Sequence, residues 1–115
     1  MDRMVGIGEF AISNRPEDTI KTFSLGSCIA VVIYDKIQKV AGMAHIAMPS
    51  KSLQSSNSKP CYCADTGISF LVEEMCNKYN CKKANMIIKL FGRAKSPYKI
   101  DLILVPVMLI WLNKY

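Results

Sequence analysis

The amino-acid sequence predicts an α/β fold of the α+β kind, a single domain whose mostly antiparallel sheet carries at least one long amphipathic helix. Two patterns indicate it. Two apolar runs, residues 29–34 and 40–48, flank a short polar stretch that suits a hairpin turn. Farther along, apolar residues recur at helical spacing over residues 68–79. A length of 115 residues fits one domain, and a hydrophobic content of 50% allows it a core.

The predicted hairpin brings together two residues whose side chains could take part in catalysis. Its first run is mostly β-branched and aromatic, which is typical of a strand buried on both faces. A four-residue loop at 35–38 would pair Tyr34 with Lys39 and place Cys28 opposite His45, the only histidine of the chain. Directly opposed residues have Cβ atoms about 4.5–5.5 Å apart, so the thiol and the imidazole would meet. A shift of one residue would separate them, so the prediction depends on the register.

The residues before the cysteine favour a reactive role. Gly26 lets the backbone turn sharply, and backbone N–H groups near Gly26 and Ser27 can point at a developing oxyanion or bind a substrate. A nucleophile, a base and such donors are what a Cys–His acyl-transfer site needs. The alternative interpretation is a buried structural cysteine beside a core histidine with satisfied hydrogen bonds, since free cysteine is among the most buried residue types.

The predicted helix has one wide apolar face, which indicates that it packs against the sheet. We expect Asp65 to cap its N-terminus, Glu73 and Glu74 to lie on its outer side, and Asn80 to end it. The apolar face consists of Ile68, Leu71, Val72, Met75, Cys76 and Tyr79.

Two further apolar segments follow the helix. Residues 84–91 predict another strand, ended by Gly92. Residues 102–112 are almost wholly apolar but too few to cross a bilayer, which takes about 20 residues. Pro106 would interrupt either a helix or a central strand in this segment.

Charge and cysteine content narrow the function classes. The net charge is +6, but the lysines are scattered, so nucleic-acid binding is only weakly indicated. The absence of an apolar leader near Met1 and the odd number of cysteines, five, predict a cytoplasmic protein. Four thiolates could form a zinc site, but their spacings are not the usual Cys-x2-Cys pairs, and packing explains them more simply. These four are Cys61, Cys63, Cys76 and Cys81.

Several motifs, in a fixed order, resemble those of one known family. They are Thr22-x-x-Leu25-Gly26-Ser27-Cys28, Tyr34-Asp35 and Gly42-Met43-Ala44-His45-x-x-Met48-Pro49. Residues 5–11, 64–67 and 90–95 add weaker matches. From Met4 to Lys95 the chain is similar to the CheD family of chemoreceptor glutamine deamidases.

The resemblance implies an activity and a set of partners. Members of the family hydrolyse glutamine side-chain amides on methyl-accepting chemotaxis receptors, leaving glutamate. The family nucleophile falls on Cys28, the general base on His45 and the third catalytic residue on Thr22. A CheC-type phosphatase is the implied partner, while no cofactor, metal, nucleic acid or membrane insertion is implied. A catalytically inactive module that binds the phosphatase, and another Cys–His acyl hydrolase such as a small thioesterase, stay open as alternatives.

The similarity stops near Ser96. We therefore divide the chain into a partial CheD-like domain, residues 1–95, and a divergent apolar tail, residues 96–115. Our hypothesis is that this tail replaces the family's C-terminal part and that the remaining sheet exposes apolar surface. The polar stretch at residues 50–60 either flanks the active site and contacts the receptor or is a plain connector.

Overall fold

A computed structural model describes residues 1–23, 26–50, 59–92 and 102–112, and it shows one α+β domain. Its elements in chain order are β1 (Asp2–Val5), β2 (Phe10–Ser13), β3 (Thr19–Phe23), β4 (Ile29–Asp35), β5 (Val40–Ile46), α1 (Ala64–Tyr79), a short 3₁₀ helix (Lys83–Asn85), β6 (Met86–Gly92), β7 (Leu102–Pro106) and α2 (Val107–Trp111). The predicted fold class is confirmed.

The strands of the described residues form two sheets. One has the order β2-β5-β4-β6 and is antiparallel throughout. The other has the order β1-β3-β7, in which β1 and β3 are parallel and β7 is antiparallel to β3. The sheet content is therefore mostly antiparallel, as predicted.

Each face of the four-stranded sheet covers its own apolar cluster. On one face, α1 buries Leu71 and Met75 against Val31 and Ile33 of β4. The central strands β4 and β5 are buried nearly throughout, because the second sheet and α2 cover their other face. The cluster on that second face contains Val5, Ile20, Val32, Tyr34, Ala41, Met43, Val105, Val107 and Ile110.

The helix α1 agrees with the sequence analysis at its end but not at its start. Asn80 takes the left-handed conformation that ends the helix, with φ of 61°. The prediction that Asp65 caps the N-terminus is wrong: the capping position is Cys63, which makes no side-chain cap. Asp65 lies within the first turn, where its negative charge interacts favourably with the positive end of the helix dipole. Its carboxylate accepts a hydrogen bond from Ser50.

Two glycines allow α1 to approach its neighbours closely. A Cβ atom on Gly42 of β5 would lie 3.0 Å from Sδ of Met75. A Cβ atom on Gly67 of α1 would lie 2.9 Å from the backbone Cα of Cys61. The glycines of the motifs at 42–49 and 64–67 thus have a packing role.

The apolar tail forms two elements that meet at Pro106. Strand β7 pairs with β3, with Ile103 opposite Thr22, and ends at the proline. The N–H of Val107 then donates to the carbonyl of Asp18, and the short helix α2 begins there. Val105, Val107 and Ile110 are buried in the second cluster. The proline therefore does separate two elements, as predicted.

Large apolar side chains remain exposed on the edge strand β6. Four consecutive residues of this strand, 87–90, are solvent-exposed, and Ile88 and Leu90 have half or more of their surface accessible to water. The strand predicted at residues 84–91 is present, but its first two residues belong to the 3₁₀ helix, and Gly92 is its last residue. Most of the polar stretch at residues 50–60, namely 51–58, lies outside the described residues.

Candidate functional site

Thr22 and His45 form the centre of the candidate site. Thr22 lies on β3 and His45 on β5, and both side chains are buried between the two sheets. Oγ1 of Thr22 lies 2.8 Å from Nδ1 of His45 and 2.7 Å from the carbonyl oxygen of Val5. The parallel pairing of β1 with β3 brings Val5 opposite Thr22.

These contacts define the tautomer of the imidazole. A threonine hydroxyl has one proton, and the carbonyl of Val5 can only accept it. Oγ1 of Thr22 must then accept the hydrogen bond from His45, so Nδ1 carries the ring proton. The other ring nitrogen, Nε2, is left with a lone pair, which is the form required of a base.

The lone pair of Nε2 is buried without a hydrogen-bond partner among the described residues. Only 1% of the His45 surface is exposed, and burial lowers the pKa of the imidazole below its ordinary value of 6.5. At neutral pH the ring is therefore uncharged. A buried acceptor without a partner costs about 1–3 kcal/mol, and such a group calls for a functional explanation.

The turn between β1 and β2 holds the backbone of His45. Gly8 N–H donates to the carbonyl of His45 at 2.8 Å, and His45 N–H donates to the carbonyl of Glu9 at 3.2 Å. The Glu9 carboxylate closes the turn by accepting the N–H of Gly6 at 2.9 Å. Gly8 has a φ of +79°, which favours glycine.

The structure corrects the register predicted for Cys28. Asp35 pairs with Val40, and Ala30, not Cys28, lies opposite His45. The loop does have four residues, but it starts one residue later than predicted. The first strand therefore gains Asp35 at the turn and the second loses Lys39, which displaces the partner of His45 by two positions, from Cys28 to Ala30.

The side chain of Asp35 explains where the turn begins. Its Oδ1 accepts the N–H groups of Ile37 and Gln38 at 2.8 and 2.9 Å, and its Oδ2 accepts that of Lys82 at 3.2 Å. Lys39 then closes the turn with a φ of 59°. The buried carboxylate thus belongs to the last strand pair and not to the loop.

Cys28 precedes β4 by one residue, and its side chain is partly buried. Alternation along β4, continued to Cys28, assigns this residue to the same sheet face as Ala30 and His45. Burial raises the pKa of the Cys28 thiol above its ordinary value of 9.0, so the resting group is a thiol and not a thiolate. The two groups therefore rest as neutral thiol and neutral imidazole.

The glycine–serine step before Cys28 is open to solvent. Gly26 has a φ of +45°, and a Cβ atom there would meet nothing within 4 Å. Ser27 is exposed beside it. Ser24 and Leu25 of the cysteine motif lie outside the described residues.

The other cysteines occupy packed positions. Cys61 and Cys81 are buried, and burial raises their thiol pKa values to about 11 and about 12. Sγ of Cys61 donates to the carbonyl of Gly67 at 3.7 Å. In the described part of the chain, no three histidine, cysteine, aspartate or glutamate side chains are grouped so as to hold a metal ion. Within the same part, no helix combines the length and apolar character needed to span a membrane.

Thr22, His45 and Cys28 are predictable from the sequence, but the backbone groups that hold the first two are not. The carbonyl of Val5 and the turn at Gly8 were visible only as a stretch of weak family resemblance. Backbone hydrogen-bond partners leave little trace in residue identity. The repeated glycines at this turn were the one available signal.

Comparisons with known proteins identify relatives of one kind, although no protein-family model matches the chain. A probable chemoreceptor glutamine deamidase CheD of Syntrophotalea carbinolica is 37% identical over 97 residues, which cover 81% of this chain and 59% of the relative. A probable CheD 1 of Syntrophus aciditrophicus is 42% identical over 95 residues, with the same coverage. The chemoreceptor glutamine deamidase CheD of Thermotoga maritima is 38% identical over 94 residues, covering 82% of this chain and 57% of the relative.

The chain thus spans less than three fifths of the length of these curated relatives. Each relative nevertheless matches about four fifths of the chain, at an identity well above 30%. The motifs around Thr22, Cys28 and His45 indicate the same family. The chain belongs to the CheD family.

Proposed function

We propose that this protein is a protein-glutamine deamidase that converts glutamine side chains of methyl-accepting chemotaxis receptors to glutamate and releases ammonia. The observation that carries the proposal is the buried lone pair of His45 Nε2, which has no partner among the described residues. The hydrogen bond from His45 to Thr22 keeps that lone pair on Nε2. The names of the relatives supply the substrate class.

The first half of the reaction is an attack on the glutamine amide. As Sγ of Cys28 bonds to the carboxamide carbon, Nε2 of His45 takes the thiol proton. This transfer is needed because the raised pKa of Cys28 leaves little thiolate at neutral pH. The imidazolium then gives the proton to the amide nitrogen, the C–N bond breaks, and ammonia leaves a thioester on Cys28.

Water completes the reaction. Nε2 of His45 takes a proton from water as the oxygen bonds to the thioester carbon. The C–S bond then breaks, the sulfur regains a proton from His45, and the product is glutamate. Apo structures often show such catalytic groups farther apart than in the substrate complex, so Sγ need not contact Nε2 at rest.

Thr22, Gly26 and Ser27 have supporting roles in this proposal. Thr22 keeps the imidazole in the Nδ1–H tautomer and stabilises the imidazolium by accepting from the same N–H group. Gly26 and Ser27 provide backbone N–H groups for the oxyanion at the open step before Cys28.

The proposal also covers the cellular location of the protein and a regulatory partner. We place the protein in the cytoplasm, where the signalling domains of its receptor substrates lie. A CheC-type phosphatase is the proposed regulatory partner, on the strength of the family resemblance. The net charge of +6 favours encounters with acidic receptor segments or an anionic membrane surface.

The test uses the purified chain and soluble receptor fragments. Peptide mass spectrometry should show glutamine converted to glutamate, and the conversion should disappear with Cys28→Ala. Cys76→Ala is the matched control, because Cys76 is also a partly buried free cysteine but lies on α1. Binding of the phosphatase without any conversion would contradict the proposal, as would hydrolysis of acyl thioesters without deamidation.

A further inference from the structure

A small apolar cleft lies beside the proposed nucleophile. It has a volume of about 100 Å³, and its walls include Ser27 and Ile29, the two chain neighbours of Cys28. Ile46 lines it from the last position of β5, Met48 from the segment just after that strand, and Ala64 from the first turn of α1. The cleft is thus formed where three parts of the family's motifs meet.

The cleft and His45 lie on opposite faces of the same pair of strands. Ile29 pairs with Ile46, and the next pair along is Ala30 with His45. Because neighbouring residues of a strand point to opposite faces, the Ile29–Ile46 pair faces α1 while His45 faces the second sheet. At the end of the β4–β5 strand pair, next to Cys28, the imidazole therefore lies on one face of the sheet and the cleft on the other.

An extended polypeptide that crosses this end of the sheet would place side chains on both faces. Its successive side chains also point in opposite directions, and successive Cα atoms are 3.8 Å apart. When its glutamine side chain points to Cys28 and His45, the side chain next to the glutamine points to the cleft. The cleft volume, about 100 Å³, is well below the roughly 300–1,000 Å³ of small-molecule pockets, so it suits one aliphatic group.

Building on the proposed deamidase function, we propose that this cleft binds an aliphatic side chain immediately adjacent to the target glutamine and so selects which receptor glutamines react. Met48 and Ala64 set the size of the cleft. Neither residue touches the reacting atoms in this arrangement, so each contributes to substrate selection and not to the chemical step.

The first experiment compares two glutamine peptides that differ only in having leucine or glycine next to the glutamine. We expect kcat/KM of the unaltered protein to be roughly tenfold higher for the leucine peptide, which corresponds to about 1.4 kcal/mol. Ala64→Leu should bring this ratio close to one by filling the cleft. Met48→Ala should enlarge the cleft and raise kcat/KM for a third peptide, with phenylalanine next to the glutamine, relative to the leucine peptide.

Two matched controls make the same chemical changes elsewhere. Ala84→Leu alters an exposed alanine of the 3₁₀ helix, and Met108→Ala alters an exposed methionine of α2. Both should leave the leucine-to-glycine ratio unchanged. A leucine-to-glycine ratio that is near one in the unaltered protein, or that Ala64→Leu leaves as it was, would overturn the proposal. A phenylalanine-to-leucine ratio that Met48→Ala leaves as it was would overturn it as well. A preference located three or four residues from the glutamine would also overturn it.

A second readout separates this inference from the deamidase proposal. The same peptides, with a chloroacetamide group in place of the glutamine amide, alkylate Cys28 with loss of chloride and need no turnover. The labelling rate of Cys28 should show the same leucine preference, and Ala64→Leu should abolish it. Selective labelling without deamidation would refute the proposed activity but support the proposed role of the cleft in binding the neighbouring side chain. Deamidation with unselective labelling and unselective kcat/KM would refute the cleft alone.

Discussion

The hydroxyl of Thr22 stands between the carbonyl of Val5 and Nδ1 of His45, at 2.7 and 2.8 Å, and donates its one proton to the carbonyl. It can therefore serve the imidazole only as an acceptor. The identity of the residue at position 22 thus controls which nitrogen of a ring on another sheet is available for chemistry.

Thr22→Val should release the imidazole from this tautomer. The valine has nearly the same shape but accepts no hydrogen bond, so Nδ1–H loses its partner and the Nε2–H form gains population. We expect kcat for the proposed deamidation to fall by about 10- to 100-fold, the range found when a group that orients a metal-binding histidine is removed. Because His45 is the only histidine, one set of ¹⁵N imidazole resonances reports the tautomer directly.

Thr22→Ser is the control for this change, because it retains the hydroxyl. It should keep the Nδ1–H resonance and most of the activity. If Thr22→Val also kept the Nδ1–H tautomer, the proposed positioning role would be wrong, whatever its activity.

Stability should fall when the protein is acidified through the range just below pH 6.5. In the unfolded chain His45 takes up a proton near its ordinary pKa of 6.5, while burial keeps the folded pKa lower. Between these two values the unfolded state binds more protons, so the free energy of unfolding decreases as the pH falls. Urea unfolding at about pH 8 and about pH 5 measures this decrease.

His45→Gln should remove most of that dependence. The carboxyl groups with lowered pKa values, Glu9, Glu17 and Asp18, have ordinary values of 4.5 or less and titrate below this range. A variant that retains the full pH dependence would show that another group causes it. An NMR titration that placed the folded pKa of His45 above 6.5 would contradict the sign.

Asp35→Ala should destabilise the hairpin. The carboxylate is fully buried and accepts three backbone N–H groups, from Ile37, Gln38 and Lys82. Buried donors left without a partner cost about 1–3 kcal/mol, and we expect a loss of that order in the free energy of unfolding. Glu73→Ala, which removes an exposed carboxylate on α1 that forms only a surface ion pair with Lys83, should change it by no more than about 0.5 kcal/mol. Equal losses in the two variants would contradict this role.

Gly67→Ala should destabilise the protein although alanine favours helices. The new methyl group would lie 2.9 Å from Cα of Cys61 and 3.0 Å from Cδ1 of Ile46. Overpacking of this kind costs about 1–3 kcal/mol, more than the gain of about 1 kcal/mol in helix propensity. Ser69→Ala, at an exposed position of the same helix, is the control and should be neutral or stabilising. Thermal unfolding of both variants measures the difference, and a more stable Gly67→Ala protein would contradict the predicted clash.

Elements that are decided by one side-chain pattern could be predicted from the sequence. The periodicity of α1 placed Leu71 and Met75 in the core, and Asn80 marked its end. The apolar run of β4 was correctly interpreted as a strand buried on both faces. In each case the residues that carry the pattern are also those that make the contacts.

Features that depend on a competition between neighbouring residues, or on pairing between distant strands, could not be predicted in this way. The start of the turn was misplaced by one residue because Asp35 is polar enough for a loop, yet its carboxylate binds backbone groups from within the sheet. The parallel pairing of β1 with β3 joins two strands of four and five residues, too short to show a period. The use of residues 102–106 as a partner of β3 joins distant parts of the chain, and no local signal announces it.

The pairing of β7 with β3 has a consequence for the order in which the molecule is made. Synthesis proceeds from the N-terminus, so the strand with Thr22 emerges from the ribosome about eighty residues before the strand that lies beside it. Until then one side of β3 offers unpaired backbone groups, which are open to wrong partners or to chaperones. Thr22, the hydrogen-bond partner of His45, thus acquires both of its neighbouring strands only after β7 has been synthesised.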